Sequence, residues 1–181
     1  MDKTAYLVLA DGTIYKGKRF GADGCATAEV VFTTATTGYL DTLTDRSYHG
    51  KMIVQAFPLI GNYGITDEDN ESRSPLIGGM VVREYSDFPS NFRSVKPLGE
   101  LLEDSGIPAI SGVDTRQIAR MIRSEGSQRA LLCDAGLPDQ EALERIKAFR
   151  IPRDCVQKVS CRKKWYAPTA NPRFSVVALD C

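Results

Sequence analysis

The chain has 181 residues, 43% hydrophobic and 25% charged, the composition of a globular domain able to bury a sizeable core. Lys+Arg and Asp+Glu both number 23, so no net charge draws it toward nucleic acid or an anionic membrane. No apolar stretch approaches the roughly 18 residues of a spanning helix, and "MDKTAYLVLADG" turns polar too soon for a signal peptide, which sets a cytoplasmic expectation.

In chain order, "YLVLADGTIYKG" places two apolar runs around Asp11-Gly12 and predicts a β-hairpin, because glycine accepts the positive φ of a tight turn. "AEVVFTT" (28–34) and "KMIVQAF" (51–57) predict further strands. "IGGMVVREY" (77–85) predicts another, with Gly78-Gly79 suited to a bulge or a close backbone approach. Helix and strand signals then alternate. Pro97 suits a first helical turn, and Leu98, Leu101 and Leu102 give one apolar face before Gly106. Asp114, with Gln117 three residues on, predicts a capped helix that buries Ile118, Met121 and Ile122 and stops at Gly126. A last amphipathic helix is expected over Pro138–Phe149, burying Leu143, Ile146 and Phe149.

Beyond it the style changes. "RIPRDCVQKVSCRKKWYAPTANPR" is proline-punctuated, basic and aperiodic, as inter-domain linkers are. "FSVVALDC" after it holds a nearly continuous apolar run, Phe174 to Leu179, of the kind buried in a parallel sheet. The expected organisation is therefore a mixed β and α/β domain over 1–150, a linker over 151–173, and an opening strand over 174–181. No repeat or low-complexity tract appears.

Which residues offer chemistry? The five cysteines are scattered, none in a C-x-x-C pair, and His49 is the only histidine, so a zinc site is not expected and reduced thiols are. "TTGYLDTLTDRSYHGK" crowds Asp41, Asp45, Ser47 and His49. In an extended segment residues 45, 47 and 49 share a face about 7 Å apart, too far for a Ser–His hydrogen bond. No G-x-S-x-G elbow is present, so turn chemistry by Asp45 and Ser47 is the better expectation. "GNYGITDEDNES" (61–72) is acidic but has the wrong register for an EF-hand, and a solvated loop is expected. Arg116, Arg120 and Arg123 form a basic stripe able to grip phosphate or an acidic partner, with a plain solvated face as the simpler alternative. "SNFR" (90–93) is either an interface anchor or local packing.

In combination, "AEVVFTTATTGYLDTLTDRSY", "PLIGNYG", "GMVVRE", "SNFR" and "ISGVDTRQIARMIRSEGS" resemble the N-terminal domain of the carbamoyl-phosphate synthetase small subunit, the glutamine amidotransferase chain, over residues 4–136. The resemblance implies a layered β/β/α "swivelling" fold, with mixed parallel and antiparallel sheets and helices on one side. It implies docking on a large subunit that uses ATP and magnesium, with no cofactor or metal held by this chain. Glutamine hydrolysis in such subunits belongs to a C-terminal class I amidotransferase domain with a cysteine in a glycine-flanked elbow. None of the five cysteines has G-x-C-x-G surroundings, so no catalytic residue is expected here, and 174–181 resembles that domain's first strand, cut short. One residue carries over. Ser47, in "TDRSY", matches the serine that contributes to the glutamine site, where a hydroxyl both donates and accepts. Arg46 stands where many relatives have proline, which leaves the rigidity of this loop to other contacts. The alternatives in other classes are a stand-alone interaction module with the same fold, and nucleic-acid binding through the linker and the Arg116 stripe.

Overall fold

The computed structural model describes residues 3–134 and 139–179. Nine strands and five α-helices are assigned within them. Strand β1 (Thr4–Leu9) turns at Asp11-Gly12 into β2 (Ile14–Gly21), antiparallel with Leu7 opposite Tyr15. Gly12 has φ 92°, and the Asp11 carboxylate accepts the Thr13 N–H at 2.8 Å, so the hairpin forms as its turn chemistry dictates.

Strands β3 (Ala26–Thr33), β4 (Met52–Gln55), β6 (Gly79–Val81) and β8 (Pro108–Ser111) pair in parallel succession, and β9 (Gln128–Asp134) runs antiparallel to both β1 and β3. With β2 joined to β8, the order β1-β2-β8-β6-β4-β3-β9 closes on itself as a barrel. A separate two-stranded sheet pairs β5 (Leu59–Ile60) with β7 (Glu84–Tyr85). The expected mixture of parallel and antiparallel pairing is present; closure is what the layered expectation did not contain. Gly78 fulfils the expected close approach, since a Cβ there would stand 2.7 Å from the Gly50 carbonyl oxygen.

Alternation along the strands sorts the core. Leu7, Val30, Val54, Val81, Ile110 and Leu132, one from each of six strands, fill a single buried cluster. Ile118 and Ile122 of α3 (Thr115–Glu125) complete it. Asp114 caps α3 by accepting the Gln117 N–H at 3.0 Å, and Gly126 ends it at φ 90°. Outward-facing Phe20, Ile53, Met80 and Ala109 pack instead with Leu40 and Leu43 of α1 (Tyr39–Thr44) and Leu98 and Leu102 of α2 (Leu98–Asp104). Val8 and Leu131 are covered by Ala142 and Ile146 of α4 (Asp139–Ala148). Helices α1 and α2 on one outer face and α4 on another therefore cover more of the barrel than the single side expected. A closed sheet exposes apolar outer faces around its circumference, and each needs its own cover. Pro138, expected to open α4, lies outside the described residues; Leu143 and Phe149 are only half-buried.

The chain divides into two units, Met1–Ile151 and Pro152–Cys181. The second carries one short helix, α5 (Cys155–Val159). The strand expected over 174–181 is not formed in its described part, 174–179: Phe174, Val176, Val177 and Leu179 are 85–92% exposed and no ladder includes them. A strand is built by ladder pairing with a neighbour's backbone, and no such ladder includes 174–179 among the described residues. Asp180 and Cys181 lie outside the described residues. No described helix is long and apolar enough to cross a membrane.

Candidate functional site: a braced serine turn

Gly38, at φ 76°, admits the chain to α1 in the left-handed conformation. That geometry leaves the Tyr39 N–H outside the helix ladder, where the Tyr63 hydroxyl accepts it at 2.8 Å. The Tyr39 hydroxyl donates in turn to the Gly64 carbonyl at 2.7 Å, and the two rings stack with centroids 4.0 Å apart. Burial pushes both phenols above their ordinary range, so each stays neutral in its hydrogen bond. The "TTGYL" and "GNYG" segments are thereby clasped to one another.

At the far end of α1, the Thr44 hydroxyl donates to the Leu40 carbonyl at 2.8 Å and accepts the Glu71 N–H at 2.9 Å. The Ser72 hydroxyl donates to the Thr44 carbonyl at 2.6 Å. The acidic 61–72 segment, expected to be a solvated loop, is in part a brace. Thr66 donates to the Asp69 carboxylate at 2.6 Å, which folds the segment back on itself, while Asp67 and Glu68 stay exposed.

Between these supports the chain makes one turn of 3₁₀ helix, Arg46–Tyr48. This corrects the extended reading of 45–49. Asp45 accepts the Ser47 N–H at 2.8 Å, and a carboxylate offered two residues upstream favours a tight turn over a strand. The turn chemistry expected of Asp45 is therefore present. It holds the loop at Arg46. Ser47 is exposed at the crest, with its backbone N–H engaged by Asp45. No hydrogen bond joins Ser47 to His49 among the described residues, and the buried His49 Nδ1 has no partner. A nucleophile–base pair is not assembled here; a presented hydroxyl is.

Burial raises the Cys133 thiol to about 11, which keeps it a protonated apolar group at neutral pH. "SNFR" divides between its two readings. Asn91 donates to the Tyr63 carbonyl at 3.2 Å and Arg93 bridges Glu68 at 3.2 Å, both local packing, whereas Phe92 is 98% exposed. Arg116, Arg120 and Arg123 line a groove beside α3 together with Arg83. Two residues that matter most to the site, Tyr39 and Tyr63, were not singled out by composition. Their only sequence signal is an aromatic beside a turn glycine in each segment.

A mixed α/β barrel carrying a serine on a doubly braced surface turn defines a domain that presents an exposed hydroxyl. Residues 7–132 match the family described as carbamoyl-phosphate synthase small chain, CPSase domain, and the chain belongs to that family. It is 42% identical over 175 residues to the carbamoyl phosphate synthase small chain of Oceanobacillus iheyensis, covering 97% of this chain and 48% of that one. It is 48% identical over 175 residues to the small chain of a Staphylococcus epidermidis strain, with 97% and 47% covered. The pyrimidine-specific small chain of Halalkalibacterium halodurans is 42% identical over 171 residues, with 94% and 47% covered. The chain thus spans about half the length of the curated relatives it matches. Among solved structures, an aminopeptidase from Aneurinibacillus is similar at 15% identity and a TM-score of 0.45 over 73% of this chain and 30% of that one, which carries no argument.

Proposed function

We propose that this chain is the N-terminal domain of the small subunit of a cytoplasmic, glutamine-hydrolysing carbamoyl-phosphate synthase. In this reading the small subunit supplies ammonia from glutamine to a large subunit. The large subunit combines it with bicarbonate, using ATP and magnesium, to make carbamoyl phosphate for arginine and pyrimidine synthesis. This domain holds no metal or cofactor of its own. Its part is to contribute Ser47 to the glutamine site and to dock on the large subunit, without catalytic residues of its own. The observation that carries the reading is the family match over residues 7–132, which contains Ser47 on its braced turn. For docking, support comes from Phe88 and Phe92, 83% and 98% exposed on a loop pinned by the Ser90 N–H to the Asn62 carbonyl at 2.8 Å. Exposed aromatics on a fixed loop are suited to be interface anchors.

The test uses the full-length subunit paired with its large subunit. Ser47→Ala is expected to raise KM for glutamine about fivefold, the equivalent of roughly 1 kcal/mol for one lost hydroxyl bond, and to leave ammonia-dependent synthesis unchanged. If both activities fell together, Ser47 would be structural and not a substrate contact. The 181-residue chain alone is expected to release no glutamate from glutamine, because none of its cysteines sits in a nucleophile elbow. Glutamate release by the clean chain would contradict the assignment of hydrolysis to residues elsewhere.

A further inference from the structure

Along the exposed side of α3 runs an open groove of about 840 Å³. Its helix wall carries Arg116, Arg120 and Arg123; its strand side carries Phe57, Pro58 and Arg83. All four arginines are exposed. Arg123 sits over the Phe32 ring, 5.7 Å from its centroid, and Arg83 lies 4.0 Å from the Asp114 carboxylate. The side chains of Arg116 and Arg120 make no hydrogen bond or ion pair among the described residues. Glu84 and Asp114 are the lining carboxylates, and Asp114 is already engaged in capping α3, so the groove keeps an excess of positive charge in a chain of zero net charge.

We propose that this groove binds an acidic polypeptide segment in extended conformation. Its carboxylates would pair with Arg116 and Arg120, and its alternate side chains would rest against Phe57 and Pro58. The spacing favours such a ligand. Four residues of helix separate the two arginines by about 6 Å along the axis, and alternate residues of an extended chain are about 6.6 Å apart on one face. Acidic and apolar side chains on opposite faces of that chain then meet the basic and apolar walls together. Guanidinium forks suit carboxylates in two-point contact. A free phosphate fits less well, because the arginines are solvent-exposed and spread along a line and do not converge on one buried point. Nucleic acid fits less well too, because the Glu84 and Asp114 carboxylates that line the groove would lie against its phosphates. This inference rests on the groove alone and holds whether or not Ser47 touches glutamine.

The experiment is fluorescence anisotropy of the 181-residue chain with a labelled octapeptide of alternating glutamate and apolar residues, at low and physiological salt. Saturable, salt-weakened binding is expected, reduced at least about tenfold in R116E/R120E and by less in R116Q/R120Q, with K147E on α4 unchanged. Thermal melts should coincide among the variants, since the substituted side chains are exposed. The proposal is overturned by absence of saturable binding at low salt, or by equal binding to R116E/R120E. Tighter binding of inorganic phosphate, or of an oligothymidylate of the same length, would overturn it as well by assigning the groove to a small anion or to nucleic acid.

Discussion

Gly61→Ala is expected to lower stability by about 3 kcal/mol and the melting temperature by about 6–12 °C, while Gly50→Ala costs only about 1 kcal/mol. Both glycines have positive φ, 94° and 69°, so an alanine at either is strained by its backbone. They differ in space. Around Gly50 nothing lies within 4 Å of an added Cβ. At Gly61 that Cβ falls on the Ser86 carbonyl oxygen and 2.9 Å from the Tyr85 ring. The carbonyl is hard to displace, because β5 and β7 pair beside it and the Ser86 N–H bonds the Ile60 carbonyl at 2.9 Å. Gly61 also accepts the Gly64 N–H at 3.1 Å, so the turn that carries Tyr63 must shift with it. Urea denaturation of the two variants is the measurement. Equal losses would remove the close-approach explanation and leave φ alone.

The second large effect is expected from Asp134→Ala, at about 3 kcal/mol. The Arg19 side chain is 2% exposed, and its Nε donates to the Asp134 carboxylate at 2.7 Å. Its other nitrogens reach the Ala22 and Gly24 carbonyls at 3.2 and 2.8 Å. Asp134 also accepts the Gly24 N–H at 3.0 Å, tying the turn after β2 to the end of β9. Removing the carboxylate strands a buried cation among neutral acceptors and frees an amide. Asp134 itself is 40% exposed, so water reaches the pair and the loss belongs at the low end of the range for a broken buried pair. Arg19→Met in the same chain should recover part of the loss, since an apolar side chain of similar length needs no counter-ion. A double variant less stable than Asp134→Ala alone would show that Arg19 contributes mainly by packing.

What the sequence revealed was what is local. The Asp11-Gly12 hairpin and the Asp114-to-Gly126 helix each carry their start and stop signals within a dozen residues, and both form as read. Helix α1 does not announce itself. It is six residues long, is entered through a left-handed glycine with no side-chain cap, and holds two threonines among its apolar positions. Strands β5 and β7 are two residues each, too short for any alternation to register. Ser47 was reached through its family pattern, but the Tyr39–Tyr63 clasp that supports its turn joins residues 24 apart, and no local pattern encodes such a pairing. The arginine stripe was visible as a stripe; that Arg83 and Phe57 complete a groove opposite it depends on the parallel crossovers.

Strand β9 lies between β1 and β3 and pairs with both, Leu132 with Leu7 and with Ala26. Residues 4–9 and 26–33, synthesised before residues 128–134, thus wait for them before their sheet can close. Until then β1 and β3 each present an unpaired edge, open to the wrong neighbour. Closure also joins residues more than a hundred positions apart, a connectivity associated with slow folding. The nascent domain's most vulnerable interval therefore falls before its last strand emerges, and a chaperone that shields exposed strand edges would be needed most at that time.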